Sequence, residues 1–449
     1  MRLTLVQPCI GRRPGERYLR SWQMEPLPLA MLAGLTPKDV EVRVADDRFE
    51  PIPYDAPTDL VAISVETYTA RRAYQIASEY RRRRVPVVMG GFHAMLAPDE
   101  VARHAESVVV GEAEALWPRV LDDWRHGKGE RVYRAEGRPA LGTARPDRSV
   151  YRGKRYLPVG LVEAGRGCPY RCDFCAIHSA YGPSRSPRPV DAVVADVLEA
   201  SAERRLVFVV DDNIAGDAGS ATSAGLLEAL ARHRRPWVTQ CSLQGALDDG
   251  WAGRLARAGC VGVLIGFESL DPAVLRRMGK GFNTPDRYRQ AVATLRRHGI
   301  GVYGTFVLGY DGDGPGALDA AVDLAVEEAF FLAAFAPVVP FPGTPLYRRL
   351  EAEGRLLYER WWLDPTYRFG RAPYRPAGMT PEALREACLA ARRRFYAAGS
   401  IARRWRGSLG SARMALGYLF ANLLHRREIS QRDGHPLGDA TFAGPLLEA

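Results

Sequence analysis

At 449 residues and 47% hydrophobic, the chain is long enough to bury two or three cores, so more than one domain is expected. Its seven cysteines are an odd number with three inside eight residues, which excludes a disulfide framework and points to metal binding. The net charge of +10 raises nucleic acid as a partner, but only four of the 62 basic residues are lysines (Lys38, Lys128, Lys154 and Lys280); such an arginine bias reflects coding preference, and no nucleic-acid partner is expected.

The start, MRLTLVQPC, has too short an apolar run for a signal peptide. The longest apolar stretches, near Phe330–Val339 and Ala415–Leu424, are too short or proline-broken to span a bilayer. A cytoplasmic chain with no transmembrane segment is expected. Residues 1–130 alternate apolar runs at Leu3–Gln7, Val40–Ala45, Asp59–Val65, Val85–Gly90 and Ser107–Gly111 with helical patterns at Pro28–Leu35, Ala70–Arg84, Asp99–His104 and Ala115–His126. Strands alternating with helices predict a doubly wound parallel sheet, flavodoxin- or Rossmann-like, that binds ligand at its carboxyl ends. Residues 131–158 are polar and rich in Arg, Gly and Pro, and read as a linker.

A second α/β array occupies 159–350, with strands expected at Gly160–Ala164, Leu206–Val210, Trp237–Leu243, Val261–Phe267, Gly301–Leu308 and Phe330–Val339. Helical patterns lie between them, among them Val190–Ala202, Ser223–His233, Ala246–Ala258, Asp286–His298 and Pro315–Glu328. Six βα units predict a partial (β/α)6 barrel of the TIM type, active at its carboxyl-terminal rim. Residues 351–449 read as a helical, arginine-rich region. Within it Thr380 and Pro381 open a helix, Trp361, Trp362, Tyr367 and Tyr374 line either a pocket or a core, and Ser411–Arg427 mixes apolar residues with arginines, as in a helix packed on the barrel or one touching a membrane surface.

The cysteine run GCPYRCDFC follows the first barrel strand, placing Cys168, Cys172 and Cys175 on a rim loop. Three thiolates at spacings of four and three wrap one face of a 4Fe–4S cube and leave its fourth iron open to a small molecule. A zinc site with His178 as fourth ligand is the alternative. From Pro158 to Tyr347 the sequence resembles the radical S-adenosylmethionine (SAM) superfamily. That resemblance implies SAM chelation at the open iron and cleavage to a 5′-deoxyadenosyl radical, with reducing electrons from a flavodoxin- or ferredoxin-type donor. It implies SAM contacts at Phe174, at Asp211, Asp212 and Asn213 after the second strand, at Gln240 and Ser242, at Glu268 as a ribose contact, and at Gly309 near adenine. A capping turn, a buried ion pair of Glu268 with an arginine, and close packing at Gly309 are the structural alternatives. PFPGTPLY (Pro340–Tyr347) resembles the family motif after the sixth strand and reads as a rigid turn.

The N-terminal domain, placed directly ahead of such a barrel, resembles that of the cobalamin-binding members. ISVETYT, VVMGGFH and VVVGEAE imply cobalamin contacts at Ser64, Val65, Glu66 and Thr67, at Gly90, Gly91 and Phe92, and at Gly111 and Glu112. The DxHxxG run that supplies a histidine to cobalt is absent: QPCIGRRPG (Gln7–Gly15) stands there, so no histidine lower ligand is expected, and a domain that binds no cobalamin is an alternative. His93 reads as structural. Methylthiotransferases carry a second three-cysteine cluster ahead of the barrel, whereas Cys9 is alone here. The resemblance implies methylation of an unactivated carbon on a small-molecule, natural-product or lipid-like substrate. Cyclisation, ring rearrangement or oxidation with the same cofactors is the first alternative, and a non-catalytic metal module on nucleic acid the second.

Overall fold

Short runs of Val, Leu, Ile and Ala make strands here because aliphatic side chains suit a parallel sheet buried on both faces. The computed structural model describes residues 1–138, 140–215, 221–314, 316–405 and 412–448. Its first strands are β1 (Arg2–Gln7), β2 (Gly11–Arg12), β3 (Glu41–Asp46), β4 (Leu60–Ser64), β5 (Val87–Gly90), β6 (Ser107–Val110) and β7 (Val132–Arg134). All but β2 form one parallel sheet in the order β3-β1-β4-β5-β6-β7, and every residue of β4 and β6 is buried. The order reverses between β1 and β4, which opens a crevice at the carboxyl ends where a doubly wound sheet takes its ligand.

The second sheet comprises β8 (Val159–Arg166), β9 (Ser186–Pro187), β10 (Leu206–Asp211), β11 (Trp237–Gln240), β12 (Cys260–Glu268), β13 (Gly301–Leu308) and β14 (Leu332–Pro337). Its order is β14-β13-β12-β11-β10-β8-β9, parallel except for β9. In β10, β13 and β14, fully buried residues alternate with half-buried ones. The buried set (Val207, Val209, Val302, Phe306, Ala333 and Phe335, for example) belongs to the large core that the outer helices also join. The half-buried set, including Phe208, Val210, Tyr303, Thr305, Ala334 and Ala336, lines the lumen of an open barrel.

Two expectations change. The stretch 131–158 does not begin as a linker: β7 extends the N-terminal sheet, with Tyr133 buried, and Tyr151 and Tyr156 pack in the core that this sheet shares with the helices Leu27–Leu35 and Ala113–Arg125. The C-terminal region is not uniformly helical. Trp361, Trp362, Tyr367 and Tyr374 are core residues, the first three joined to the N-terminal sheet's core and the last to the barrel's. The tail then crosses back to the N-terminal domain through β15 (Gly438–Asp439), which pairs with β2 in a separate two-stranded sheet, while Gln75 and Asp439 exchange hydrogen bonds of 3.0 and 2.7 Å. The helix starting at Thr380 forms as expected over Pro381–Phe395, the Thr380 hydroxyl accepting from Ala383 N at 3.1 Å. Of the segment Ser411–Arg427, Ser411 lies outside the described residues, as does Pro315; the rest belongs to the helix Ala412–Arg432.

Candidate active site

The carboxyl ends of the two parallel sheets meet, and ionic and aromatic contacts hold them together. Arg166, at the end of β8, reaches both oxygens of Glu114 (2.5 and 3.1 Å) while also binding Glu163 (2.7 and 2.8 Å). A fork-to-fork pair of this kind fixes orientation as well as distance. Arg138 approaches Glu112 at 3.6 Å and lies over the Tyr181 ring at 4.6 Å, and Phe92 meets Tyr181 edge to face at 6.0 Å. Tyr181 ends the short helix Ala176–Tyr181 that begins right after Cys175, so the cysteine loop sits against the N-terminal face.

On that face the two loops expected to hold cobalamin lie side by side. Val65 N donates to Gly90 O (2.8 Å) and His93 N to Val65 O (2.9 Å). Gly91 has φ +97°, and a Cβ there would stand 2.8 Å from Val65 N, so only glycine allows the loops this close. The absent side chain of Gly91 thus faces protein. Gly90 is half-buried, with no neighbour nearer than 3.4 Å to a Cβ in its place. Glu66 is exposed to solvent yet surrounded by enough protein that burial pushes its carboxyl up to about 7. Both observations hold for a side chain lining a recess. His93 is buried and bonded through both ring nitrogens, to Thr67 Oγ1 (3.1 Å) and Glu100 Oε1 (3.2 Å), so it acts as a structural residue.

The cysteine loop is pinned from later strand ends. Asp173 N donates to Met278 O (3.0 Å), Leu346 N to Asp173 O (3.1 Å), and Cys175 N to Cys172 O (3.1 Å). Leu346 belongs to PFPGTPLY, whose Thr344 caps the helix Pro345–Ala352, so the motif serves as a brace for the loop. Burial raises all three thiols, Cys172 to about 12, and the Lys280 ammonium acts against that rise at each of them. The Lys280 ammonium, 2.8 Å from Glu268, thus lies within electrostatic reach of all three thiols, a countercharge that suits a cluster carrying negative charge. Asn213 Nδ2 lies 3.9 Å from Cys168 Sγ. Among the described residues no three His, Cys, Asp or Glu side chains converge as a single-ion site would need, so the zinc reading through His178 gains no support. Cys9, Cys241, Cys260 and Cys388 are buried free thiols.

The expected SAM contacts gather round this loop with their own partners. Asp211 is buried and paired with Arg185 at 2.5 Å, and its Oδ1 accepts from Asn213 N (3.0 Å). Asp212 accepts from Gly167 N (2.6 Å), and burial lifts its carboxyl to about 6. Gln240 Nε2 donates to Asp211 O (2.9 Å); Ser242 N donates to Asn213 Oδ1 (3.0 Å), and the Ser242 hydroxyl is buried with no hydrogen-bond partner among the described residues. Phe174 is half-buried against the barrel core.

At two positions the structure shows protein contacts of the kind the structural alternatives named. Glu268, at an irregularity in the β12 register and with φ +64°, forms its ion pair with Lys280 (2.8 Å) and, among the described residues, with no arginine. Gly309, φ +96°, owes its residue type to protein: a Cβ would stand 2.5 Å from Leu384 and 2.7 Å from the Tyr374 hydroxyl, which donates to Gly309 O (2.8 Å). Sequence reading missed Lys280. Its one signal was rarity, a lysine in an arginine-biased chain, placed in a loop after the helix Pro272–Arg277. It also missed Arg392, whose Nε donates to Phe335 O (2.7 Å) and which has no salt-bridge partner among the described residues; burial pulls its pKa down. Arg392 and Arg432 both act on the hydroxyl of Tyr303, which lines the lumen.

Two parallel α/β layers facing each other across a three-cysteine rim loop define an iron–sulfur enzyme with a ligand-binding domain in front of its barrel. The family description "Radical SAM superfamily" matches residues 162–325. Over 395 residues the chain is 32% identical to bacteriochlorophyllide d C-12(1)-methyltransferase of Chlorobaculum tepidum, covering 85% of each chain. It is 27% identical to bacteriochlorophyllide d C-8(2)-methyltransferase of the same organism, over 74% of this chain and 77% of that one. Its fold is similar to that of the radical SAM methyltransferase TsrM from Kitasatospora setae, solved with cobalamin and a 4Fe–4S cluster bound, at a TM-score of 0.63, 21% identity, and coverage of 78% and 75%. The chain belongs to the radical SAM superfamily and is an enzyme of its methyltransferase group.

Proposed function

We propose that this enzyme methylates an unactivated carbon of a small, largely apolar molecule, using SAM at a 4Fe–4S cluster and cobalamin on the N-terminal face. The observation that carries the reading is the opposition of the two strand-end faces, one bearing Cys168, Cys172 and Cys175 and the other the Val65–Gly90 loop pair, joined by Arg166–Glu114. An unactivated C–H bond offers no proton a side chain could remove, so the bound cofactors supply hydrogen abstraction and the methyl group. The residues of the chain bind, orient and shield. The three cysteines hold the cluster, and Asn213 and Lys280 set the charge around its sulfurs. Asp212 and the Ser242 hydroxyl offer polar contacts to the methionine end of SAM. The loops Ser64–Thr67, Gly90–Phe92 and Gly111–Glu112 form the cobalamin seat, with Glu66 facing the recess. The half-buried lumen, with Tyr303 and Thr305 on one strand and Ala334 and Ala336 on the next, takes the substrate.

The test is anaerobic turnover with methyl-labelled SAM and candidate apolar substrates, with cobalt and iron measured on the same sample. Label in the product with both metals present supports the reading. 5′-Deoxyadenosine formed with cobalt present but no label transferred moves the enzyme to cyclisation or rearrangement, and iron without cobalt removes the cobalamin claim.

A further inference from the structure

Among the described residues, the helix Ala412–Arg432 is held along one side, to the barrel and, through Glu428 and Arg432, to Ser21. Tyr418 donates to Ile401 O (2.8 Å), and Asn422 donates to Phe331 O (3.0 Å) while accepting from Arg404 Nη2 (2.9 Å); Tyr418 and Asn422 are buried, as is Ile429 further along. The opposite side carries Leu416, Leu419, Phe420 and Leu423, exposed by 68, 37, 55 and 54%. Their spacing of i, i+3, i+4 and i+7 makes one continuous stripe. Trp405, 39% exposed, has its ring 5.7 Å from that of Tyr418, at the margin of the same helix. Single exposed leucines are ordinary, but an apolar stripe of this kind marks a contact surface.

Charge indicates what covers it. The stripe continues into Arg426 and Arg427, at i+10 and i+11, both exposed; Arg403, two residues from Trp405, is exposed too. None of these three has a salt-bridge partner among the described residues. From 387 to 427 the sequence holds nine arginines and no aspartate or glutamate. A second copy of the chain fits poorly, because two-fold pairing sets this acid-free segment against itself. Four side chains also fall well short of the roughly 800 Å² that each partner buries in a stable interface.

We infer that this face docks on an anionic lipid surface. Leu416, Leu419, Phe420, Leu423 and Trp405 enter the interface, and Arg403, Arg426 and Arg427 meet the headgroup phosphates. The inference is independent of the reaction assigned to the barrel.

Flotation of the full chain with vesicles tests it, comparing phosphatidylcholine alone with phosphatidylcholine mixed with phosphatidylglycerol. The chain is expected to float with the anionic vesicles, to leave the neutral ones behind, and to be released by high salt. Replacing Arg426 and Arg427 by Ser should weaken vesicle binding about thirtyfold, at about 1 kcal/mol for each arginine. Phe420→Glu should weaken it at least tenfold, with the thermal melt and cluster absorbance unchanged because the side chain faces solvent. Equal binding to both vesicles, or no binding by the unaltered chain, overturns the inference. So does a concentration-dependent dimer that Phe420→Glu dissociates, or a short RNA bound equally well by Phe420→Glu.

Discussion

On the barrel side of the central interface, charged side chains have fixed partners: Asp211 with Arg185, Glu268 with Lys280, and Asp212 with the Gly167 amide. On the N-terminal side the equivalent loops are tied chiefly by backbone, Val65 to Gly90 and His93 to Val65, and burial raises the Glu66 carboxyl among them. The contrast follows what each face has to hold. A charged cluster and a zwitterionic ligand need fixed countercharges, because buried charge is costly unless paired. A large, flat cofactor needs backbone that approaches closely, which glycine allows. Electrostatic damage should therefore disable the barrel face, and steric damage the N-terminal face.

The largest effect is expected on the barrel side. Cys172→Ala should abolish 5′-deoxyadenosine formation and remove the visible absorption of the cluster, measured after anaerobic reconstitution. Persistent 5′-deoxyadenosine would end the cluster assignment. Lys280→Met comes next. It strands Glu268, which is 8% exposed, and should cost about 3 kcal/mol in chemical denaturation. Adding Glu268→Gln to that variant should recover most of the loss, and no recovery would mean that the pair is not the cause.

Gly91→Ala probes the other face. It needs a left-handed alanine and a Cβ against Val65, at a cost of about 1–3 kcal/mol confined to the N-terminal sheet. Cobalamin uptake, followed by its absorbance, should fall while iron content stays normal. A parallel fall in iron would show that the two faces are not separable.

The smallest effect concerns pH. Burial raises the Glu66 carboxyl from 4.5 to about 7, so the folded chain holds a proton there that the unfolded chain has released. The stability this contributes is complete below about 4.5 and is lost as pH rises through about 7. Glu66→Gln should flatten the fall in denaturation midpoint across that window. An unchanged slope would show that Glu66 is fully hydrated and that the recess is open water.

Much of this architecture was legible in the chain itself. Apolar runs bounded by Gly and Pro marked the strands of both sheets, because a strand buried on both faces needs an unbroken aliphatic run. The CxxxCxxC spacing marked the cluster loop, because three thiolates so closely spaced on one loop can reach three irons of one cube. Thr380 and Pro381 marked a helix start through local backbone chemistry. Tertiary structure alone decided which residues face one another. The pairing of Glu268 with Lys280 joins a strand end to a loop twelve residues on, and no local pattern names its partner. Gly309 is glycine because Tyr374 and Leu384 arrive from the C-terminal region, and Arg392 donates to Phe335 O because a helix 57 residues later packs on β14. Residues after 131 joined the first sheet, and the tail returned to the N-terminal domain by pairing β15 with β2, because long-range pairing can use any polar stretch with free backbone groups. Composition and spacing thus determined the elements and the cluster loop; contacts between distant residues, which leave no period in a sequence, decided how charge and space are arranged around it.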